Sequence, residues 1–301
     1  MLEFRTITLE DKAWVDGIVM REDSRSADYN FGNIYIWDKY FKQLIAKSGD
    51  RLCIKLRYGG RHVFVFPIGS GPVKPAVEEL KAFAEFKNYL PFTLYGVTEK
   101  HIPELEDAFP GCFEYTPLEN TFDYIYSAEK LSTYQGKSLH GKKNHCNHFE
   151  KEFPDWEFKP ITRSLIPQCL DLLSYWQEFN RERLDSSISF EHDAIVRAFA
   201  AYEKLNLEGG ILLAGGRIVA FSVGELACAD TFDVHFEKAD ININGAYTMI
   251  CREMAKMAVR NHPGVEYINR EDDMGIESLR TSKLSYKPEY LLSKYSAVWI
   301  K

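Results

Sequence analysis

The sequence predicts an α+β protein made of two domains, each a mixed, mostly antiparallel sheet flanked by helices. Three observations carry that expectation. The chain has 301 residues, enough for two hydrophobic cores. Two runs of alternating β-type residues are each broken by a glycine pair, Gly59-Gly60 and Gly215-Gly216, which signals a tight hairpin. An amphipathic helical segment lies downstream of each hairpin, so the halves share an order of elements and suggest internal duplication.

In the first half, Glu3 to Thr6 reads as a short strand and Leu9 to Met20 as a helix with acids near its start. Arg21 to Asn30 is polar and loop-like, and Phe31 to Phe41 is an aromatic-rich short helix. The hairpin spans Arg51 to Tyr58 and Arg61 to Pro67. A Pro/Gly break precedes a helix over Ala76 to Tyr89, with Val77, Leu80, Phe83, Ala84 and Phe86 as its apolar side. Pro91 to Val97, Cys112 to Pro117 and Thr121 to Tyr126 read as strands, and Pro103 to Phe109 as a short helix. From Lys137 to Lys151 the pattern is helical and basic, with four lysines and three histidines against Glu150. The expected division is therefore a domain over 1–130, a basic helical connection over 131–155, and a second domain over 156–301.

The second half begins with a strand over Trp156 to Thr162. Helices follow over Ile166 to Asn180 and Phe190 to Leu205. The second hairpin is Gly209 to Ala214 and Arg217 to Leu226, with a further strand over Asp230 to Phe236. The remaining elements are a helix over Gly245 to Asn261, a strand over Glu266 to Asn269, a helix over Ile276 to Leu284 and a strand over Tyr290 to Ile300.

Composition narrows the function. A net charge of -7 argues against a dedicated nucleic-acid coat but permits a local basic patch. The opening Met1-Leu2-Glu3-Phe4-Arg5 lacks the basic and apolar regions of a secretory signal, and no apolar run reaches the ~20 residues of a membrane span, so a cytoplasmic protein without integral membrane association is expected. The six cysteines contain no CxxC pair and read as reduced core residues, and no metal site is expected from them or from His140, His145 and His148. No nucleophile elbow, P-loop or dinucleotide fingerprint is present.

The densest chemistry is Asn269-Arg270-Glu271-Asp272-Asp273-Met274-Gly275-Ile276, closed by Lys283-Leu284-Ser285-Tyr286-Lys287-Pro288. So many ionisable groups at the end of a short apolar run cost desolvation unless they meet each other, water or a ligand. This run, with Leu139-His140-Gly141-Lys142-Lys143-Asn144-His145 and Asn244-Gly245-Ala246-Tyr247, resembles a bacterial family related to the C-terminal domain of phosphatidylglycerol lysyltransferases. The resemblance implies two fused domains of the GNAT (acyl-CoA N-acyltransferase) fold, and a transferase that moves an acyl or aminoacyl group to an amine or hydroxyl by direct attack.

The donor implied is an acyl-CoA or an aminoacyl-tRNA, with no tightly bound cofactor. GNAT-type enzymes place donor phosphates at a helix N-terminus, here Asn244, Gly245, Ala246 and Tyr247, where unpaired N–H groups favour anions. This chain has a single glycine there, which departs from a CoA loop and is compatible with an aminoacyl-tRNA donor. Lys142 and Lys143, with Lys137, His145 and Lys151, supply a basic surface for phosphates, and Arg181 and Arg183 are candidate companions. Strand alternation puts Asp233 and His235 on one face as an acid–imidazole pair. Glu225 and Asp273 are further candidate bases, and Tyr286 is a candidate acid. Arg270 and Arg280 suit carboxylate or phosphate clamping, while Glu271, Asp272, Lys283 and Lys287 complete the expected substrate contacts. The rival reading is a non-catalytic GNAT-like shell that binds a small metabolite or RNA.

Overall fold

The computed structural model describes residues 2–180 and 186–301. In chain order the first stretch forms α1 (Lys12–Glu22), α2 (Phe31–Ile36), α3 (Asp38–Phe41), β1 (Leu44–Ser48), β2 (Arg51–Tyr58), β3 (Arg61–Val65), β4 (Ile68–Gly69), α4 (Lys74–Lys87), β5 (Thr93–Thr98), α5 (Ile102–Ala108) and β6 (Phe113–Pro117). It continues through β7 (Asp123–Ser127), α6 (Ala128–Thr133), α7 (His140–Glu152), β8 (Glu157–Pro160), α8 (Ile166–Asn180), α9 (Ser186–Ala200), β9 (Glu208–Ala214), β10 (Arg217–Cys228) and β11 (Thr231–Ala239). The chain closes with α10 (Ala246–Asn261), β12 (Tyr267–Asn269), α11 (Glu277–Ser285), β13 (Tyr290–Leu292) and β14 (Lys294–Trp299).

Among the described residues these strands make two mixed sheets. One runs β1-β2-β3-β5-β14-β6 with β4 on β2, and the other β13-β7-β12-β11-β10-β9-β8. Each contains a hairpin whose two turn glycines have positive φ, 55° and 79° at Gly59 and Gly60, 56° and 74° at Gly215 and Gly216. That left-handed pair matches the twist of the strands it joins, and glycine reaches it without a steric cost. Each sheet also contains a parallel crossover: β3 to β5 through α4, and β11 to β12 through α10.

The chain forms two compact units, 1–123 with 272–276 and 291–301, and 124–271 with 277–290. The expected cuts at 130 and 155 are displaced. β7 joins the second sheet, beside β12, and the expected strand Tyr290 to Ile300 breaks into β13 in the second sheet and β14 in the first, between β5 and β6. Residues 131–155 are no connection: α6 and α7 belong to the second unit. The strand expected at Glu3 to Thr6 is reduced to one bridge, Arg5 to Ile45.

In the first unit α4 buries Val77, Leu80, Phe83 and Ala84, but Phe86 is 64% exposed. Phe86 follows Val77 by nine residues, and at about 100° per residue that puts it on the opposite side of the helix. In the second unit α10 lays Met249, Ile250, Met254 and Ala255 against Leu212, Val219, Phe232 and Val234. Burial of each large side chain contributes about 1.5–3 kcal/mol. No described helix is long and apolar enough to cross a membrane.

Candidate active site in the second unit

The second sheet opens at the parallel pair. β11 pairs with β12 only over Thr231–Asp233, while on its other edge it stays with β10 as far as Ala239. Against β10 the register shifts: Gly224 faces Val234 but Val223 faces Phe236, so His235 is the extra residue of a β-bulge. Paired residues on an antiparallel ladder share a face. Asp233 pairs with Glu225, whereas Glu237 pairs with Ser222, which alternation on β10 puts on the other face. The bulge therefore separates Glu237 from Asp233, although an even spacing would have kept them together.

On the Asp233 face, His235 is the centre of a carboxylate cluster. Its Nε2–H donates to Glu225 Oε1 at 3.0 Å and its Nδ1–H to Glu271 Oε1 at 2.9 Å, with Asp233 Oδ2 3.6 Å from Nδ1. Burial by itself lowers an imidazole pKa, but these hydrogen bonds and the Asp233 charge hold His235 well above the usual range. Glu271 reaches the ring from a left-handed backbone conformation, φ 52°. Ligand atoms of Asp233, His235 and Glu271 lie within 4.8 Å of one another, a spacing a cation could use. A doubly protonated imidazole has no lone pair to offer a metal, so a metal would first have to displace the Nδ1 proton.

On the opposite face, Arg270 continues from β12. Its Nη2 donates to Glu237 Oε1 at 3.0 Å, and its guanidinium carbon lies 4.6 Å from the Tyr286 ring centre and 5.7 Å from that of Tyr126. Lys142 of α7 places its Nζ 3.5 Å from the Tyr286 ring centre. Burial and then the Arg270 charge pull the Lys142 ammonium down to about 8. Burial raises the Glu237 carboxyl, against the opposing pull of Arg270, Lys283 and Lys142. Burial also raises the Tyr286 phenol, which stays protonated through the neutral range. Lys283 donates to the backbone oxygens of Arg270 and Glu271 and so pins the turn that carries both.

The α10 N-terminus lies under α7. Gly245 precedes the helix at φ 87°, and a Cβ there would sit 2.4 Å from the His145 carbonyl oxygen and 3.1 Å from Phe149 Cβ. Only glycine allows that approach. His145 Nδ1 lies 3.2 Å from Asn244 Oδ1. Ala246 is buried, and the Tyr247 hydroxyl accepts from Trp176 Nε1 at 2.8 Å. Beside them Lys238 donates to both Glu191 oxygens at 2.8 Å and stands 4.0 Å from the Trp176 ring centre.

The structure thus places Asp233, His235 and Glu271 together on one face, and Arg270, Tyr286, Lys142 and Lys283 together on the other. Asp272 and Asp273 fall in the first unit, where each carboxylate caps a nearby backbone N–H, of Met274 and Gly275. Arg280 is half-buried on α11, and Lys143 and Lys287 are exposed. Arg181 and Arg183 lie outside the described residues. Sequence reasoning missed Glu237 and Ser222, and with them Lys238, Glu191 and Trp176. A signal for the first existed: Asp233-Val234-His235-Phe236-Glu237-Lys238 has four ionisable residues in one strand, but a bulge is invisible to alternation.

The geometry has relatives. The chain aligns with a conserved protein of unknown function from Bacteroides thetaiotaomicron VPI-5482 at 37% identity and a TM-score of 0.94, covering 100% of both chains. It shares its fold with L-PGS from Bacillus licheniformis at 18% identity and a TM-score of 0.65, over 96% of this chain and 92% of that one. An uncharacterised protein of Mycoplasmoides gallisepticum is 26% identical over 181 residues, 59% of this chain, and that stretch spans 56% of the relative's length. The family profile described as "Phosphatidylglycerol lysyltransferase, C-terminal" matches residues 21–298. Two GNAT-like sheets, each with its hairpin and parallel crossover, and a match over nearly the whole chain place this protein in the family of phosphatidylglycerol lysyltransferase C-terminal domains.

Proposed function

We propose that this chain transfers an aminoacyl group from aminoacyl-tRNA, rather than an acyl group from CoA, to an amine or hydroxyl acceptor by direct attack. The observation that carries the donor choice is the close approach at Gly245. The helix N-terminus that would face a CoA pyrophosphate is met by the backbone of α7, whose His145 carbonyl points an oxygen, not a donor, at that turn. The family and its lysyltransferase relatives favour the same donor.

The Arg270 face supplies the chemistry. Glu237, with its carboxyl raised by burial, takes the proton of the attacking amine or hydroxyl. The new bond forms at the acyl carbon as the ester bond to the tRNA ribose breaks. The protonated Tyr286 phenol gives its proton to the leaving ribose oxygen and is restored from Glu237. A bulge puts a strand amide out of register, and such an N–H beside His235 polarises the acyl carbonyl. His235, held protonated by Glu225 and Glu271, positions that segment and is not the base.

The test is thermal unfolding of the full chain with charged tRNA, uncharged tRNA, CoA and acetyl-CoA. A ligand at ~100 times its Kd adds ~2.7 kcal/mol. Stabilisation by charged tRNA, together with transfer of labelled amino acid to an acceptor, is expected. Stabilisation by CoA alone would overturn the donor choice, and silence with every donor would overturn the transferase reading.

A further inference from the structure

Two buried polar atoms on the Arg270 face have no hydrogen-bond partner among the described residues: Arg270 Nη1 and Ser222 Oγ. Both flank Glu237. Arg270 binds that carboxylate through its other nitrogen, and Ser222 is its cross-strand neighbour, itself 0% exposed. An orphaned donor in a buried place costs about 1–3 kcal/mol, so two around one carboxylate mark a place that expects company. The local charge states its sign. Arg270, Lys142 and Lys283 surround the single acid Glu237, which leaves positive charge in excess, and Lys142 makes no ion pair among the described residues.

We infer that the Arg270 face holds a subsite for a phosphate-type oxyanion, bound by Arg270 Nη1, Lys142 Nζ and Ser222 Oγ. A tetrahedral oxyanion suits this donor set better than a carboxylate does. A planar carboxylate prefers both arms of one guanidinium, and here Glu237 already occupies one. What remains is one arginine arm, one point charge and one hydroxyl, brought from β12, α7 and β10. The inference rests on the transfer reading only for which substrate brings the phosphate; the subsite itself stands on charge and orphaned donors.

Inorganic phosphate is the probe, titrated into the full chain at constant ionic strength, with chloride and acetate as controls and ³¹P line broadening as the readout. Saturable binding is expected, weakened about tenfold in Lys142→Gln, which removes a charged donor, and about two- to tenfold in Ser222→Ala. Circular dichroism checks the fold of each variant, and Ser222→Ala is a conservative core change that keeps the test alive if Lys142→Gln unfolds. Wild-type affinity in both folded variants would overturn the subsite, as would absence of saturable binding or equal affinity for acetate. Glycerophosphoglycerol and AMP then tell an acceptor headgroup from a donor nucleotide by which binds more tightly. Phosphate binding without aminoacyl transfer would sink the proposed function and leave the subsite; transfer without phosphate binding would do the reverse.

Discussion

In the first unit β3 and β5 run parallel around α4, as β11 and β12 do around α10 in the second, yet the buried cations beside these crossovers are treated differently. On β14, next to β5, Lys294 donates to Asp123 at 2.8 Å and stands 3.1 Å from Asp28. Asp123 also accepts from the Ala27 backbone. Burial would lower the Lys294 pKa, but those carboxylates raise it well above the ordinary lysine range. Next to β12, Arg270 is matched by Glu237 on one arm only. An ammonium held between two carboxylates is what a scaffold needs. A half-used arginine is what a binding site needs, because its remaining donor can be satisfied by something that arrives.

The comparison can be broken most forcefully at Lys294. Lys294→Met leaves Asp123 buried, and Asp28 partly so, without their cation, and the first unit should lose about 3–5 kcal/mol, read by urea unfolding. A loss below 1 kcal/mol would show that the triad holds nothing together. The counterpart, Arg270→Lys, keeps the charge but loses the planar fork. Transfer should fall by about 100-fold while the fold persists by circular dichroism. Equal losses of stability in the two variants would erase the proposed difference between units.

Gly245→Ala comes next in size. The added Cβ meets the His145 carbonyl, and φ 87° is left-handed, so the second unit should lose about 1–3 kcal/mol. If Gly245→Ala instead leaves stability intact and creates CoA binding, α7 is not what closes the donor loop. The pH dependence of the second unit sharpens the same point. The folded pKa of His235 is raised above its unfolded value near 6.5, so its contribution is fully present below that value and is lost as pH rises through the folded pKa. Glu225, Glu271 and Asp233 all face the ring. His235→Gln should flatten that decline, followed by thermal unfolding from pH 6 upward. The smallest effect belongs to the turns. Gly60→Ala and Gly216→Ala occupy equivalent left-handed positions with open space around them, and each should cost about 1 kcal/mol. Unequal costs would argue that the two hairpins are not equivalent.

Much of the local structure was legible without coordinates because it is written in local chemistry. Both glycine-pair hairpins, the helix over α10 and the amphipathic α4 follow from turn residues and periodicity, each a property of a few neighbouring residues. Arg270, Tyr286 and Lys142 stood out as charged or aromatic residues in dense polar runs. Phe86 was misplaced because a helix face is narrower than an apolar stretch. Strand exchange was not legible: alternation tells β7 and β14 which face to bury, but nothing in it names the edge each will join. The bulge at His235 was hidden for the same reason, since it exists only as a register between two strands, and it alone moves Glu237 to the face of Arg270. The sequence by itself determined the elements, the charge inventory and the family resemblance, because those depend on residue type and spacing. Tertiary structure decided which carboxylate meets which cation, and left one arginine arm open, because pairing in a sheet is a long-range choice that no single segment carries.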